Sequence, residues 1–269
     1  MITIKTAQEI EIMRQGGKIL AMILNEIAKA VKPGVTTKEL NELAIELIFA
    51  HGAKPAFLGY NDFPAALCAS VNEAIVHSPP SGDKLKEGDI VGLDLGILYP
   101  HKDCSGCFLV NNCSPDKKTN GLYTDMAITV PVGKINKQTQ KLIDVTRRAL
   151  EIGLEQVKPS NHIGDIGFAI QKYVEKENGF SVIRNLVGHG VGREVHEPPN
   201  IPNFGNQGTG PEIKAGMTLA IEPMVALGGH ELAQSPDGHG WETKDKSITA
   251  HFEQTIAVTE KGYEILTKE

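Results

Sequence analysis

The sequence predicts an α+β fold in which two related halves each contribute half of one curved sheet. Two observations carry this expectation. The first is an internal repeat. Val31-Lys32-Pro33 returns as Val157-Lys158-Pro159, and His77-Ser78-Pro79-Pro80 returns as His196-Glu197-Pro198-Pro199. Lys86-Glu87-Gly88 followed by Asp94 returns as Lys214-Ala215-Gly216 followed by Glu222. Asp94 and Glu222 are 128 residues apart, and so are Asp125 and Glu253. Matches that keep one order at nearly one offset point to a duplicated unit. The second observation is that each half reads as a helix pair followed by strands.

In chain order, residues 6–30 carry apolar side chains at helical spacing (Ile10, Met13, Ile19, Ile23, Ile27), and Thr6-x-x-Glu9 forms a capping box at their start. A second helix follows Pro33, opened by Thr36-x-x-Glu39 and closed near Gly52. Strands are expected at 67–71, 90–98 and 126–132. The second half repeats the plan, with helices near 137–157 and 163–177 and strands near 182–187, 217–225 and 252–259. No Ser/Gly-rich linker separates the halves. One domain over 1–269 is therefore expected, with halves of about 1–135 and 136–269.

The chain has 269 residues, 41% hydrophobic and 22% charged, with a net charge of −6. That balance argues against a nucleic-acid partner, which needs a basic face. The short basic pairs Lys117-Lys118 and Arg147-Arg148 read as solvated surface. No run approaches the ~20 apolar residues of a membrane helix. Met1-Ile2-Thr3-Ile4-Lys5 lacks the apolar core of an export signal, so a cytoplasmic protein with no membrane partner is expected. Four cysteines make no disulfide framework.

Four acids sit inside apolar, strand-like runs: Asp94 in Val91–Gly96, Asp125 in Tyr123–Ile128, Glu222 in Leu219–Met224 and Glu253 in Phe252–Ile256. A buried carboxylate must be paired, protonated or bound to metal. Strand residues two apart share a face. The acids' own faces carry Gly92, Gly96, Ala127, Ala220, Thr255 and Ala257, while the opposite faces carry Leu93, Leu95, Met126, Leu219, Ile221 and Ile256. Each acid therefore points into room left by small side chains. Pro223 biases Glu222 toward extended backbone. A single such acid reads equally well as a strand-end carboxylate or half of an ion pair, but four with this pattern do not. Gly188-His189-Gly190 through His196 adds two histidines in a glycine-rich run that a ligand can approach closely. Four carboxylates and one imidazole suit two divalent ions such as Mn, Fe, Co or Zn. Two such ions can activate water and clamp a hydrolytic displacement.

These residues resemble the motifs of the type I methionine aminopeptidases, which have the pita-bread fold. The motifs are Leu58-Gly59-Tyr60, Val71-Asn72-Glu73 through His77, Gly88-Asp89-Ile90-Val91 through Asp94, Thr124-Asp125, Gly188-His189-Gly190 through His196, Ile221-Glu222-Pro223-Met224 and Glu253-Gln254-Thr255. The resemblance runs over nearly the whole chain. It implies two pseudo-symmetric halves forming a curved antiparallel sheet covered by helices. It also implies removal of the first methionine from nascent proteins by a monomeric enzyme with two divalent metal ions. Carried over residue by residue, Asp94 would chelate one ion, Asp125 and Glu253 would bridge, and His189 and Glu222 would hold the other. His77 and His196 would contact substrate, His196 at the scissile carbonyl, and Glu222 would shuttle the proton. Tyr60, Phe63, Cys68 and Trp241 would line the methionine side-chain pocket. Such enzymes prefer a small second residue, so this chain, which begins Met1-Ile2, is expected to keep its own methionine.

The repeat offset that pairs His77 with His196 places Ser70 opposite His189. One half would then supply the histidine ligand while the other, with Cys68 nearby, shapes the pocket. Ser78 stands where the family usually has glycine, and Val195 where it commonly has an aromatic. A larger departure is an insertion at about 100–119 with His101, Asp103, Cys104, Cys107 and Cys113. It reads as a surface hairpin with reduced thiols or, alternatively, a small structural zinc site. Asp125 is preferred over Asp103 as the ligand, because Asp125 precedes an alternating strand and shares the offset with Glu253. Two rivals remain. One is a proline-directed peptidase of the same fold, disfavoured because a helix starting at residue 6 leaves no room for an extra domain. The other is a metal-free binding module, disfavoured because all five ligand positions are filled.

Overall fold

The computed structural model describes residues 1–101 and 121–269. In chain order the elements are α1 (Ala7–Ala30), α2 (Thr37–Ala50), β1 (Lys54–Pro55), β2 (Leu67–Val71), β3 (Ala74–Val76), β4 (Ile90–Tyr99), β5 (Leu122–Pro131), α3 (Lys137–Glu155) and α4 (Ile163–Gln171). They continue with β6 (Ser181–Val182), β7 (Gly188–Gly190), β8 (Glu197–Ile201), β9 (Thr218–Ile221), β10 (Met224–Ala226), β11 (Leu232–Gln234), β12 (Trp241–Thr243), β13 (Thr249–His251), β14 (Glu253–Thr259) and β15 (Gly262–Ile265).

The helix starts follow from local chemistry. At α1 the Thr6 hydroxyl accepts the Glu9 N–H at 3.2 Å, and the Glu9 carboxylate accepts the Thr6 N–H at 2.8 Å. Thr36 and Glu39 repeat the arrangement at α2. Each satisfies amides that the first helical turn leaves without partners.

The large sheet runs β1-β4-β5-β14-β9-β7-β8, with β2 also on β4 and β15 on β14; its paired strands are antiparallel. The order β2-β4-β5 is thus mirrored by β7-β9-β14. The register makes the relation exact to the residue. Met126 pairs with Gln254, which is its own counterpart at the 128-residue offset, so a pseudo-two-fold axis passes between them. Ser70 pairs with Gly92 and His189 with Ala220, again counterpart with counterpart.

Helices cover one face of this sheet. Leu20, Leu24 and Ile27 of α1 and Leu40 and Ile48 of α2 share one buried cluster with Leu93 and Leu95 of β4. Leu142 and Leu150 of α3 and Ile166 and Ile170 of α4 do the same with Leu219 of β9 and Ile256 of β14. Because side chains alternate along a strand, the acids between these leucines and isoleucines point to the other face.

Three expected elements differ. The helix expected over 163–177 is α4 as far as Gln171 and a wider π-helical turn over Lys172–Glu177. The strand expected over 182–187 is only the two residues of β6. The strand expected over 217–225 is broken after Ile221. Pro223 has no N–H to give a ladder, and there the chain leaves the large sheet to pair, as β10, with β13 and β6. No described helix is long and apolar enough to cross a membrane.

Candidate functional site

The uncovered face holds a cavity of about 230 Å³. Its wall includes Asp94, Asp125, His189, Glu222, Glu253, His77 and His196 on one side. Phe57, Tyr60, Phe63, Cys68, Val76 and His239 line the rest, with Asn61 and Gly238. The ligand candidates come from central strands. Asp94 lies on β4, Asp125 on β5, Glu253 opens β14, His189 is the middle of β7, and Glu222 directly follows β9. All five are at most 9% exposed.

Symmetry orders them. Asp125 and Glu253 flank the pseudo-two-fold axis; Glu253 pairs with Ala127, and Thr255 accepts the Asp125 N–H at 3.0 Å through its hydroxyl. Asp94 and Glu222 sit one strand further out on either side, and His189 one strand beyond Glu222. One side-chain ligand atom each from Asp125, His189 and Glu253 falls within 4.8 Å of the others. The His189 ring is oriented by its Nδ1, 2.9 Å from the Gly190 carbonyl. A carbonyl only accepts, so Nδ1 carries the proton and Nε2 offers a lone pair, 3.5 Å from Glu222 Oε1. The flanking glycines are required by close approach. A Cβ on Gly188 would lie 2.5 Å from the Ala220 carbonyl oxygen, and one on Gly190 2.4 Å from that of Pro198.

The electrostatics suit a cation. Burial, then mutual repulsion, pushes the Asp94, Glu222 and Glu253 carboxyls well above the usual carboxylate range; burial also raises Asp125. Burial, with His196 next, pulls His189 down to about 3, so it is neutral and ready to ligate. Among the described residues, no Lys or Arg lines the cavity. Asp94 Oδ1 and Glu253 Oε1 are buried without a hydrogen-bond partner among the described residues. Orphaned carboxylate oxygens beside a lone imidazole nitrogen fit a borderline divalent ion.

The flanking residues face the cavity mouth. His196 hydrogen-bonds the Tyr60 hydroxyl through Nδ1 at 2.9 Å, and its ring lies 4.3 Å from that of His189. His77 holds a left-handed φ of 59°, a strained conformation that recurs at functional sites. Cys68 lies opposite Asp94 in the ladder; burial first, then Asp94 and Asp125, push its thiol up, so it is a neutral packing group. Ser70 is buried two residues along the same strand, off the cavity wall. Val195 packs with Phe57, Phe63 and Cys68 behind the wall.

The structure does not bring Trp241 to the cavity. It pairs with Val76 in the ladder and packs among Ile183, Met224 and Leu186. The tip of its hairpin arrives instead, with the His239 ring edge-on to Phe63 at 5.7 Å. Sequence reasoning also missed His251, whose Nε2 is 3.4 Å from Glu222 Oε2 and whose backbone is tied both ways to the Thr129 hydroxyl. The available signal was its place two residues before Glu253 on the same extended stretch. The candidate hairpin or zinc site at about 100–119, with Asp103, Cys104, Cys107 and Cys113, lies outside the described residues. His101 lies outside the cavity wall.

Comparison with known proteins gives one family. The pattern of metallopeptidase family M24 matches residues 11–119 and 117–260. The methionine aminopeptidase of Clostridium perfringens is 44% identical over 267 residues, 99% of each chain. Methionine aminopeptidase 1 of Bacillus subtilis is 44% identical over 268 residues, 100% of each. The crystal structure of methionine aminopeptidase from Rickettsia prowazekii superposes with a TM-score of 0.90 at 40% identity, covering 100% of both chains. The prolidase of Pyrococcus horikoshii OT3 shares the fold, with a TM-score of 0.73 at 23% identity over 98% of this chain and 63% of that one.

Proposed function

We infer the function from one premise: the chain belongs to metallopeptidase family M24. It is a metal-dependent aminopeptidase that removes the N-terminal methionine of other polypeptides. The observation that carries the site assignment is the convergence of four buried carboxylates and His189 on a cavity that no lysine or arginine among the described residues lines.

The donor set fits two divalent ions from among Mn, Fe, Co and Zn. Asp94, Asp125, Glu253, Glu222 and His189 would hold them, Asp125 and Glu253 from beside the axis and the other three from the strands further out. When bound, the ions polarise the scissile carbonyl and make water nucleophilic at neutral pH. The protein's own groups do the rest. Glu222 takes a proton from the attacking water and delivers it to the leaving nitrogen as the peptide bond breaks. His196 donates a hydrogen bond to the carbonyl oxygen as it gains negative charge, with Tyr60 bracing its ring. His77 holds the substrate backbone across the mouth. The methionine side chain rests among Phe57, Tyr60, Phe63, Cys68, Val76 and His239, an apolar and polarizable surface suited to a thioether.

The test is methionine release from a Met-Gly-type tripeptide by chelator-stripped protein, with and without added Mn, Co or Fe. The expected result is release restored by metal, abolished by Asp125→Ala and retained by Asp103→Ala. Absence of both activity and bound metal under every addition overturns the reading.

A further inference from the structure

Among the described residues, one lysine is buried, and the reaction does not use it. Lys5 is 4% exposed and lies just before α1. Its Nζ forms an ion pair with Glu197 Oε2, the two side chains being 1% and 5% exposed. The other Glu197 oxygen, Oε1, accepts the N–H groups of Arg193 at 2.6 Å and Glu194 at 3.1 Å. These amides belong to the turn joining β7 to β8, and His196 is the last residue of that turn. Lys5 is itself fixed, its N–H donating to the Gly216 carbonyl at 2.8 Å. Its stem lies so close to the turn that a Cβ on Gly192 would meet Lys5 Cε at 2.6 Å.

His196 needs such support from below. Its ring is exposed at the mouth, and its side-chain contacts are the Tyr60 hydroxyl and the His189 ring. The backbone beneath must therefore set its position. Tyr123 N–H donates to the Gly192 carbonyl at 2.7 Å, which ties the start of the turn to β5. Arg193 Nε reaches Glu9 on α1 at 2.8 Å, which ties its outer edge. At the end nearest His196 the tie is Glu197, and the charge that holds Glu197 is Lys5.

We propose that Lys5 is a positioning residue for catalysis: through its buried ion pair with Glu197 it fixes the β7–β8 turn and hence the place of the His196 imidazole over the substrate carbonyl. The proposal rests on the assignment of His196 given above. It makes the segment before α1 a working part of the active site. A group that stabilises developing charge must be held closely, and a displacement of about 1 Å can cost on the order of a hundredfold in rate.

The test uses the full-length protein with Lys5→Met and with the double variant Lys5→Met/Glu197→Gln. The single variant strands a buried carboxylate. The double variant removes both charges, and its glutamine oxygen still accepts from the turn, so it keeps the fold if the single variant does not. Two quantities are read: kcat and KM on a methionyl peptide, and the histidine ring resonances of metal-free protein labelled with ¹⁵N-histidine. A positioning role predicts that the folded double variant loses roughly tenfold or more in kcat. Its KM and its Mn affinity by calorimetry stay near the parent's, and the resonance removed by His196→Gln is the one that shifts. Full recovery of kcat in the double variant, with an unshifted His196 resonance, reduces the pair to charge balance and overturns the proposal. A shifted resonance with unchanged kcat overturns instead the role given to His196.

Discussion

Replacing Glu253 with glutamine separates the charge of the cavity from its shape. Glu253 is 2% exposed, and burial together with Asp125, Glu222 and Asp94 pushes its carboxyl upward. Without metal, the carboxylates at neutral pH therefore oppose folding. Glutamine fills the same volume, removes one charge, and can donate to a neighbouring carboxylate, a charged hydrogen bond of about 1.5–3 kcal/mol. The chelated variant is expected to be more stable than the chelated parent, by roughly 3–12 °C in Tm for a chain of this size. Metal reverses the order. At a hundred times its Kd, a cation that binds only the folded state adds about 2.7 kcal/mol to the parent, or roughly 5–11 °C, while the variant, short of one ligand charge, gains much less. The pH dependence has a definite sign. An acid whose folded pKa is raised destabilises above its unfolded value of 4.5, and the penalty fades as pH falls toward that value, so the two chelated proteins converge near pH 4.5. Thermal unfolding with EDTA, then with excess MnCl₂, reads all three effects. A chelated variant less stable than its parent, or an equal gain from metal in both proteins, refutes the electrostatic reasoning and removes Glu253 from the ligand set.

Other consequences are smaller in scale. His239→Ala is expected to raise KM for a methionyl peptide about 3- to 10-fold, the worth of one edge-on ring contact of about 0.5–1.5 kcal/mol, while Trp241→Phe leaves it within about twofold; equal effects would return Trp241 to the pocket. Gly190→Ala forces a Cβ against the Pro198 carbonyl oxygen at 2.4 Å, so denaturant titration should show a loss of about 1–3 kcal/mol and calorimetry a weaker metal affinity. Glu9 is held down at about 2, chiefly by its bond from Arg193. A depressed acid stabilises above its unfolded value and loses that contribution as pH falls through the folded one. Glu9→Gln should therefore cost less than about 1 kcal/mol at pH 7, since the pair is largely exposed, and progressively nothing between pH 4.5 and 2. A penalty in urea titrations that does not shrink over that range would assign it to the cap alone.

How much was legible in the sequence depended on whether a residue's role is local. The capping boxes at Thr6 and Thr36, the long helices and the alternating strands β4, β5 and β14 are written in neighbouring residues, and the structure has them at or within a few residues of the expected places. Acids with small same-face neighbours were legible for the same reason. Short strands that exist only by pairing were not. β3, β11 and β12 span three residues each and carry no period, yet they bring Val76, Gly238 and His239 to the cavity wall. Trp241 was placed in the pocket only by the family resemblance. It pairs with Val76 and packs against the cluster of Ile183 and Met224, and no sequence period fixes that register. His251 was hidden likewise, since it reaches Glu222 across two strands of different sheets.

The repeat explains why a symmetric frame yields an asymmetric site. Counterparts meet in the ladder at Met126 and Gln254, so Asp125 and Glu253 must lie equally on either side of the centre, and Asp94 and Glu222 one strand out from each. Up to this point each half gives two carboxylates, aspartates from the first and glutamates from the second. The next strand out breaks the balance. At equivalent register positions, opposite Gly92 and Ala220, stand Ser70 and His189. One side of the acid cluster therefore has an imidazole, oriented by the Gly190 carbonyl, while the other has a short hydroxyl off the cavity wall, on the side where Cys68, Phe57 and Phe63 line the cavity. A side-chain pocket for substrate needs room beside the reacting carbonyl, and a second histidine at position 70 would narrow it. Ser70→His is thus the substitution that would make the frame symmetric. If the missing ring is what opens the pocket, this variant still binds Mn by calorimetry but shows a KM for methionyl peptide raised by an order of magnitude or more, a methylene-scale loss of fit being already about 10-fold. An unchanged KM would mean that the pocket owes its room to the β1–β2 loop and not to the asymmetry of the repeat.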